Sequence, residues 1–191
     1  MIDKARLARR CAPIKGTQCR YVETSVGLCR IDWSGELLQG VHLNQSLSDE
    51  SSVADSVPPF VAEAIDGIRR AVDGQPVAFD LARLDWSLVR DFSKRVLITT
   101  HAIPPGRTMT YKEVAAAVGS PGAMRAVGQA LGKNPWSIIV PCHRVLGSRG
   151  LIGGFSAPDG TRVKQALLLS EARHAGLSLP LTDATSPAAA A

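Results

Sequence analysis

The sequence lacks any apolar run of the roughly 20 residues that a membrane helix needs. Its opening stretch, Met1 to Arg10, is charged throughout and has neither the apolar core nor the small-residue cleavage site of a secretory signal. These two absences predict a cytoplasmic protein. Closely paired cysteines are missing as well: Cys11, Cys19, Cys29 and Cys142 are well separated along the chain. Without an export signal they are expected to be thiols, not a disulfide framework. A zinc site drawn from Cys11, Cys19, Cys29 and His42 would lack the short paired spacings such sites use, so no metal is predicted. Isolated cysteines of this kind commonly serve as small buried apolar residues. There is no internal repeat. Acidic residues are scarce in the second half, where residues 88–175 carry twelve Lys/Arg against four Asp/Glu, while residues 1–87 carry ten against twelve. A basic half joined to a slightly acidic one suggests that the basic half meets a polyanion, most plausibly nucleic acid, although a solvated basic face would look the same.

What is present is ordinary globular material: 191 residues, 45% hydrophobic and 20% charged, enough for one or two small domains with a real core. Strand-like text starts at Arg20, with Tyr21 to Thr24, a turn near Ser25 to Gly27, then Leu28 to Trp33. Ser34-Gly35-Glu36 closes a hairpin onto Leu37 to Leu43. Ser46 to Ser56 reads as a loop, and Pro58 opens a helix in which Phe60, Ala64, Ile65 and Ile68 share a face before Gly74. A short strand and loop are expected over Pro76 to Asp85, with a domain boundary near residue 87. Leu88 to Ala102 is amphipathic, with Val89, Phe92, Val96 and Leu97 on one stripe. Thr110 is a plausible N-cap for Tyr111 to Val118, with Glu113 at the capping-box position, and Ala123 to Lys133 is a second helix beyond the turn Gly119 to Gly122. Two short helices about a glycine-containing turn in a basic region suggest a helix-turn-helix. The apolar run Trp136 to Val140 ends at Pro141. The glycine-rich Gly147 to Gly160 is a loop, and Thr161 is a cap candidate for a last helix, Arg162 to Ala175, whose Val163, Ala166, Leu167 and Ala172 face inward.

Chemistry concentrates at Pro141-Cys142-His143-Arg144-Val145. A thiol attacks as a thiolate, and an unperturbed cysteine is only a few per cent ionised near neutrality. An imidazole next door can correct that if the chain breaks at the proline, because neighbours on a regular strand point to opposite faces. Glu171 is a candidate to hold the imidazole by its other nitrogen, which completes a nucleophile, base and orienter.

These residues, with Asn134-Pro135, Gly153-Gly154-Phe155-Ser156, Tyr111 and Arg125-Ala126-Val127-Gly128, resemble the O6-alkylguanine-DNA alkyltransferases, in order and separation from about Phe92 to Glu171. Below residue 87 the similarity is thin. The resemblance implies an α/β (α+β) fold: a small N-terminal antiparallel sheet with a helix, ribonuclease H-like, over 1–87; a mostly helical helix-turn-helix or winged-helix-like DNA-binding domain over 88–176; and a disordered tail over 177–191. It implies stoichiometric, irreversible transfer of an alkyl group from O6 of a flipped guanine to Cys142, with double-stranded DNA bound through the minor groove by a monomer. Cys142 matches the acceptor, His143 the histidine that deprotonates it through a water, Glu171 its orienting carboxylate, and Asn134 the brace of the cysteine turn. Tyr111 matches the donor to N3 of the base, while Val145, Phe155 and Ser156 fall in the substrate pocket. Arg125 matches the finger that fills the vacated stack. Ala126 and Gly128 would let the helix approach the groove, and Ser93, Lys112 and Lys133 are candidate phosphate contacts.

Departures from the pattern are local. Phe155 replaces a common tyrosine, Ala157 to Gly160 replaces a glycine-rich stretch and is one residue longer, Phe92-Ser93 stands where Phe-Gln or Phe-Thr is usual, and Pro105 replaces a frequent tyrosine. Two other readings compete: a lesion-binding relative without transfer, which would lack the acceptor that Cys142 supplies, and a helix-turn-helix regulator, for which no sensor domain is evident.

Overall fold

The computed structural model describes residues 16–45, 54, 56–152 and 160–177, and the backbone of Thr182–Asp183. The first half is built on a three-stranded antiparallel sheet, β1 (Gln18–Thr24), β2 (Gly27–Ser34) and β3 (Leu37–His42), in sequential order. Gly27 and Gly35 take positive φ, 106° and 56°, at the two hairpin turns, which is why those turns fall there. Cys29, Ile31 and Trp33 alternate along β2 and are all buried in the core. Helix α1 (Pro59–Val72) starts with proline at its first position and buries Val61, Ala64, Ile68 and Val72, spaced to form one stripe. Each such side chain removed from water is worth about 1.5–3 kcal/mol.

The second half is mainly helical: α2 (Asp91–His101), α3 (Tyr111–Ala117), α4 (Met124–Gly132) and α5 (Gly160–His174). Thr110 and Glu113 form the expected capping box, with each side chain bonded to the other's backbone N–H. Short strand pairs complete it: β4 (Met109–Thr110) runs parallel to β5 (Val145–Leu146), and β6 (Leu151–Ile152) to β7 (Thr182–Asp183). One apolar core runs through both halves, from Val22 and Ile31 to Val127 and Leu167.

The halves are also stitched by backbone. Val41 N–H donates to Pro135 O at 2.8 Å, Ser137 N–H to Val41 O at 3.1 Å, and Trp136 Nε1–H to Leu38 O at 2.8 Å. The free edge of β3 therefore carries the segment that leads into Cys142.

Several expectations are corrected. No strand forms over Pro76 to Asp85 beyond a single bridge from Leu84 to Leu38; Leu81–Arg83 makes a one-turn 3-10 helix because the Asp80 carboxylate accepts from Ala82 N–H. Helix α2 begins at Asp91, after a second such turn over Trp86–Leu88 held by Asp85. Trp136 to Val140 is a tight turn, not an extended run: Val140 N–H closes onto Trp136 O at 2.8 Å, and Ile138 sits at φ 74°. Helix α5 starts at Gly160, so Thr161 lies inside its first turn and does not cap it, and Ala166 faces solvent while Lys164, Leu168 and Glu171 join the buried face. The tail expected to lack structure contributes Thr182–Asp183, which satisfies backbone groups of β6; the remainder of 178–191, like most of the Ser46 to Ser56 loop, lies outside the described residues.

Candidate functional site

Pro141 breaks the chain, and Cys142–Arg144 form a 3-10 turn between the Trp136 to Val140 turn and β5. This turn puts Cys142 and His143 deep in the protein, at 5% and 2% exposure. Asn134 fixes it from one side. Its Nδ2 donates to Val140 O at 2.9 Å and lies 3.3 Å from Cys142 Sγ, while its Oδ1 accepts from Trp136 N–H at 3.0 Å. Helix α5 fixes it from the other. Glu171 Oε1 lies 2.8 Å from His143 Nε2, and both Glu171 oxygens accept from Arg144, whose Nε lies 3.0 and 3.1 Å away. Glu171 also accepts from Gly106 N–H at 3.2 Å, and Arg144 donates to Ile103 O, so the α2–α3 connection is tied into the same knot.

The electrostatics assign protons. Burial alone would raise the Glu171 carboxyl, but hydrogen bonds and charges from His143 and Arg144 outweigh it and hold the pKa at about 2. An ionised carboxylate only accepts, so His143 must present an N–H at Nε2. Burial lowers the His143 pKa against the pull of Glu171, so the ring is neutral near pH 7 and Nδ1 carries the lone pair. That Nδ1 is buried, with no hydrogen-bond partner among the described residues. Burial raises the Cys142 thiol, opposed by the Asn134 hydrogen bond and the charge of Lys164. The arrangement is thus a protonated thiol beside a neutral, oriented base.

Tyr111, the first residue of α3, is half-buried; desolvation and the proximity of Cys142 raise its phenol pKa, which keeps it a donor. Val145 is fully buried, and its carbonyl accepts from Lys164 Nζ at 2.6 Å. Lys164 was not singled out by the sequence reading. Its burial takes its pKa down to about 8. The signal was available, since Lys164 lies seven residues before Glu171, on the same helix face as Leu168. Arg144 likewise was quoted in the motif without a role, and it proves to be the cation that pairs with Glu171.

The residues expected to meet DNA lie apart from this knot, on the surface. Arg125 is exposed in the first turn of α4, Lys112 is exposed in α3, and Lys133 is exposed at the end of α4. Ala126 and Gly128 are half-buried, and a Cβ placed on Gly128 would come within 3.8 Å of Tyr111 Cε1. Ser93 is half-buried on α2. Phe155 and Ser156 lie outside the described residues. Among the described residues no three His, Cys, Asp or Glu side chains converge as a metal site. Cys19 and Cys29 are core residues, and burial together with Asp32 pushes the Cys29 thiol up to about 12. Cys11 lies outside the described residues. No described helix is long and apolar enough to cross a membrane.

Residues 91–173, which span α2, α3, α4, the Cys142 turn and most of α5, match the family model described as 6-O-methylguanine DNA methyltransferase, DNA binding domain. The chain belongs to the methylated-DNA–protein-cysteine methyltransferase family. It is 35% identical over 165 residues to the member from Mycolicibacterium paratuberculosis, covering 86% of this chain and 98% of that one. It is 37% identical over 140 residues to the member from Methanothermobacter thermautotrophicus, covering 73% and 76%. Its fold is similar to that of Mycobacterium tuberculosis OGT in complex with DNA, with a TM-score of 0.68 and 34% identity over 82% of this chain and 94% of that one.

Proposed function

We propose that this protein repairs DNA by moving an alkyl group, typically methyl, from O6 of a guanine onto Cys142 Sγ, once per molecule. The observation that carries this reading is the buried Cys142 turn, with a neutral His143 whose Nε2–H is committed to Glu171 and whose Nδ1 has no hydrogen-bond partner among the described residues. In the reading, a water between Sγ and Nδ1 relays the thiol proton to the imidazole as the sulfur attacks the alkyl carbon. The S–C bond forms, the C–O6 bond breaks with its electron pair staying on the guanine, and a ring nitrogen is reprotonated. Tyr111 donates toward N3 of the departing base, and Val145, Phe155 and Ser156 line its pocket; donors aimed at developing charge lower the barrier. The product thioether is a poor leaving group, which makes the transfer irreversible and needs no cofactor.

A stacked O6 cannot be approached in line, so the guanine must leave the duplex at a cost of a few kcal/mol. Arg125 fills the gap. Ala126 and Gly128 let α4 approach the narrow minor groove, and Ser93, Lys112 and Lys133 contact phosphates. Residues 1–87 then act as scaffold and 88–176 as DNA-binding and acceptor unit, in a monomer that works in the cytoplasm on the bacterial-type nucleoid.

Intact-mass measurement after mixing with duplex DNA containing O6-methylguanine tests this. The expected result is the gain of one methyl, abolished by Cys142→Ser. An unchanged mass would point to a lesion-binding or regulatory protein instead.

A further inference from the structure

Gly119-Ser120-Pro121-Gly122-Ala123-Met124-Arg125-Ala126 leads from α3 into α4, and only Met124 and Arg125 in it have long side chains. The approach to α4 carries little bulk: a Cβ built on Gly119 or Gly122 meets nothing within 4 Å. On this cleared face Met124, the first residue of α4, is 46% exposed, a large apolar side chain held in water with its neighbour Arg125 also exposed. Helical side chains lean toward the N-terminus, so both project beyond the start of α4, about 100° apart around its axis. Met124 and Gly128 are four apart and share a stripe, and Gly128 is the residue whose face approaches Tyr111. Arg125 is three residues from Gly128 and borders the same stripe, so both side chains stand on the side of α4 that faces Tyr111.

We infer that Met124 is a second wedge: it inserts beside Arg125 from the minor groove and packs on a base pair that flanks the extruded guanine. This rests on the transfer reading above. The chemistry fits. Apolar wedges that enter the minor groove partly unstack a base step, and methionine, flexible and polarisable, adapts to an irregular gap between bases. Arg125 supplies charge and hydrogen bonds to the vacated stack, whereas Met124 covers the exposed face of the neighbouring pair and excludes water from it. Its contribution appears only when a base must be taken out of a duplex.

The test compares single-turnover transfer from O6-methylguanine in duplex DNA with transfer from the same strand unpaired, using the full chain and its Met124→Ala and Met124→Leu variants. Met124→Ala is expected to slow the duplex reaction about tenfold, equivalent to about 1.4 kcal/mol, to leave the single-strand rate within about twofold, and to be largely rescued by Met124→Leu. An unchanged duplex rate would overturn the wedge while leaving the transfer reading intact. An equal loss on both substrates would also overturn it, since Met124 would then act through the acceptor pocket or the fold. Absence of transfer by the unaltered protein on either substrate would overturn the underlying reading, and this inference with it.

Discussion

Replacing Glu171 with glutamine removes one charge and almost no volume from the centre of the site. The consequence is set by what the carboxylate holds: His143 at 2.8 Å, Arg144 through Nε and Nη2, and Gly106 N–H. Its pKa in the folded protein is about 2, against an ordinary 4.5. A depressed carboxylate contributes stability that is present above the unfolded value and is lost as pH falls through the folded one, here between about 4.5 and about 2. A shift of that size corresponds to about 3 kcal/mol. Removing one partner of a buried ion pair costs about 3–5 kcal/mol, because the remaining charge is stranded. The two routes agree. Glu171→Gln should therefore lower unfolding free energy by about 3 kcal/mol at pH 7, out of a total of about 5–15 kcal/mol for a domain. Urea unfolding measures it. Adding Arg144→Met to Glu171→Gln should recover part of the loss, since no uncompensated charge is then left buried. A loss below about 1 kcal/mol for Glu171→Gln, or a double variant less stable than the single, would refute the claim that Arg144 and Glu171 depend on each other for burial.

Two further predictions concern the reaction. Because burial lowers the His143 pKa, its neutral form persists below the ordinary imidazole value, so single-turnover transfer should stay level from about pH 7.5 down to about 6.5; a rate that falls by half within that range as the pH is lowered would remove His143 as the base. Lys164 has opposite effects on stability and rate. Its pKa of about 8 lies below the ordinary 10.5, so the folded state sheds its proton first and stability rises with pH between those values. Lys164→Met should lose the bond to Val145 O yet gain about 1–2 kcal/mol at pH 7 by removing a desolvated charge, while alkyl transfer slows because the Cys142 thiolate loses the favourable charge of Lys164. Thermal melting and transfer rates on the same preparation check both signs.

The hairpins and the capping box were legible because they are written locally: Gly27 and Gly35 mark the turns, and Thr110 and Glu113 are three residues apart. The acceptor motif was legible because its chemistry sits in five consecutive residues. Trp136 to Val140 misled because apolar content resembles a strand, whereas the backbone turns at Ile138, a β-branched residue at φ 74° that only surrounding contacts can hold there. Partners distant in sequence were the least visible. Arg144 and Glu171 are 27 residues apart, and nothing local distinguishes a buried arginine from a surface one. Lys164 is the instructive miss, since its place on the inward stripe of α5 could have marked it.

Three bonds tie the edge of β3 to the segment before Cys142, and two of them are main chain to main chain, the third running from the Trp136 indole to a backbone carbonyl. On the β3 side every contact is made by peptide groups, which all residues except proline carry alike. The sheet can thus hold the reactive turn in register whatever side chains it bears, so long as its strands keep their course. Sequence drift in the first half is cheap, and drift in the turn is not.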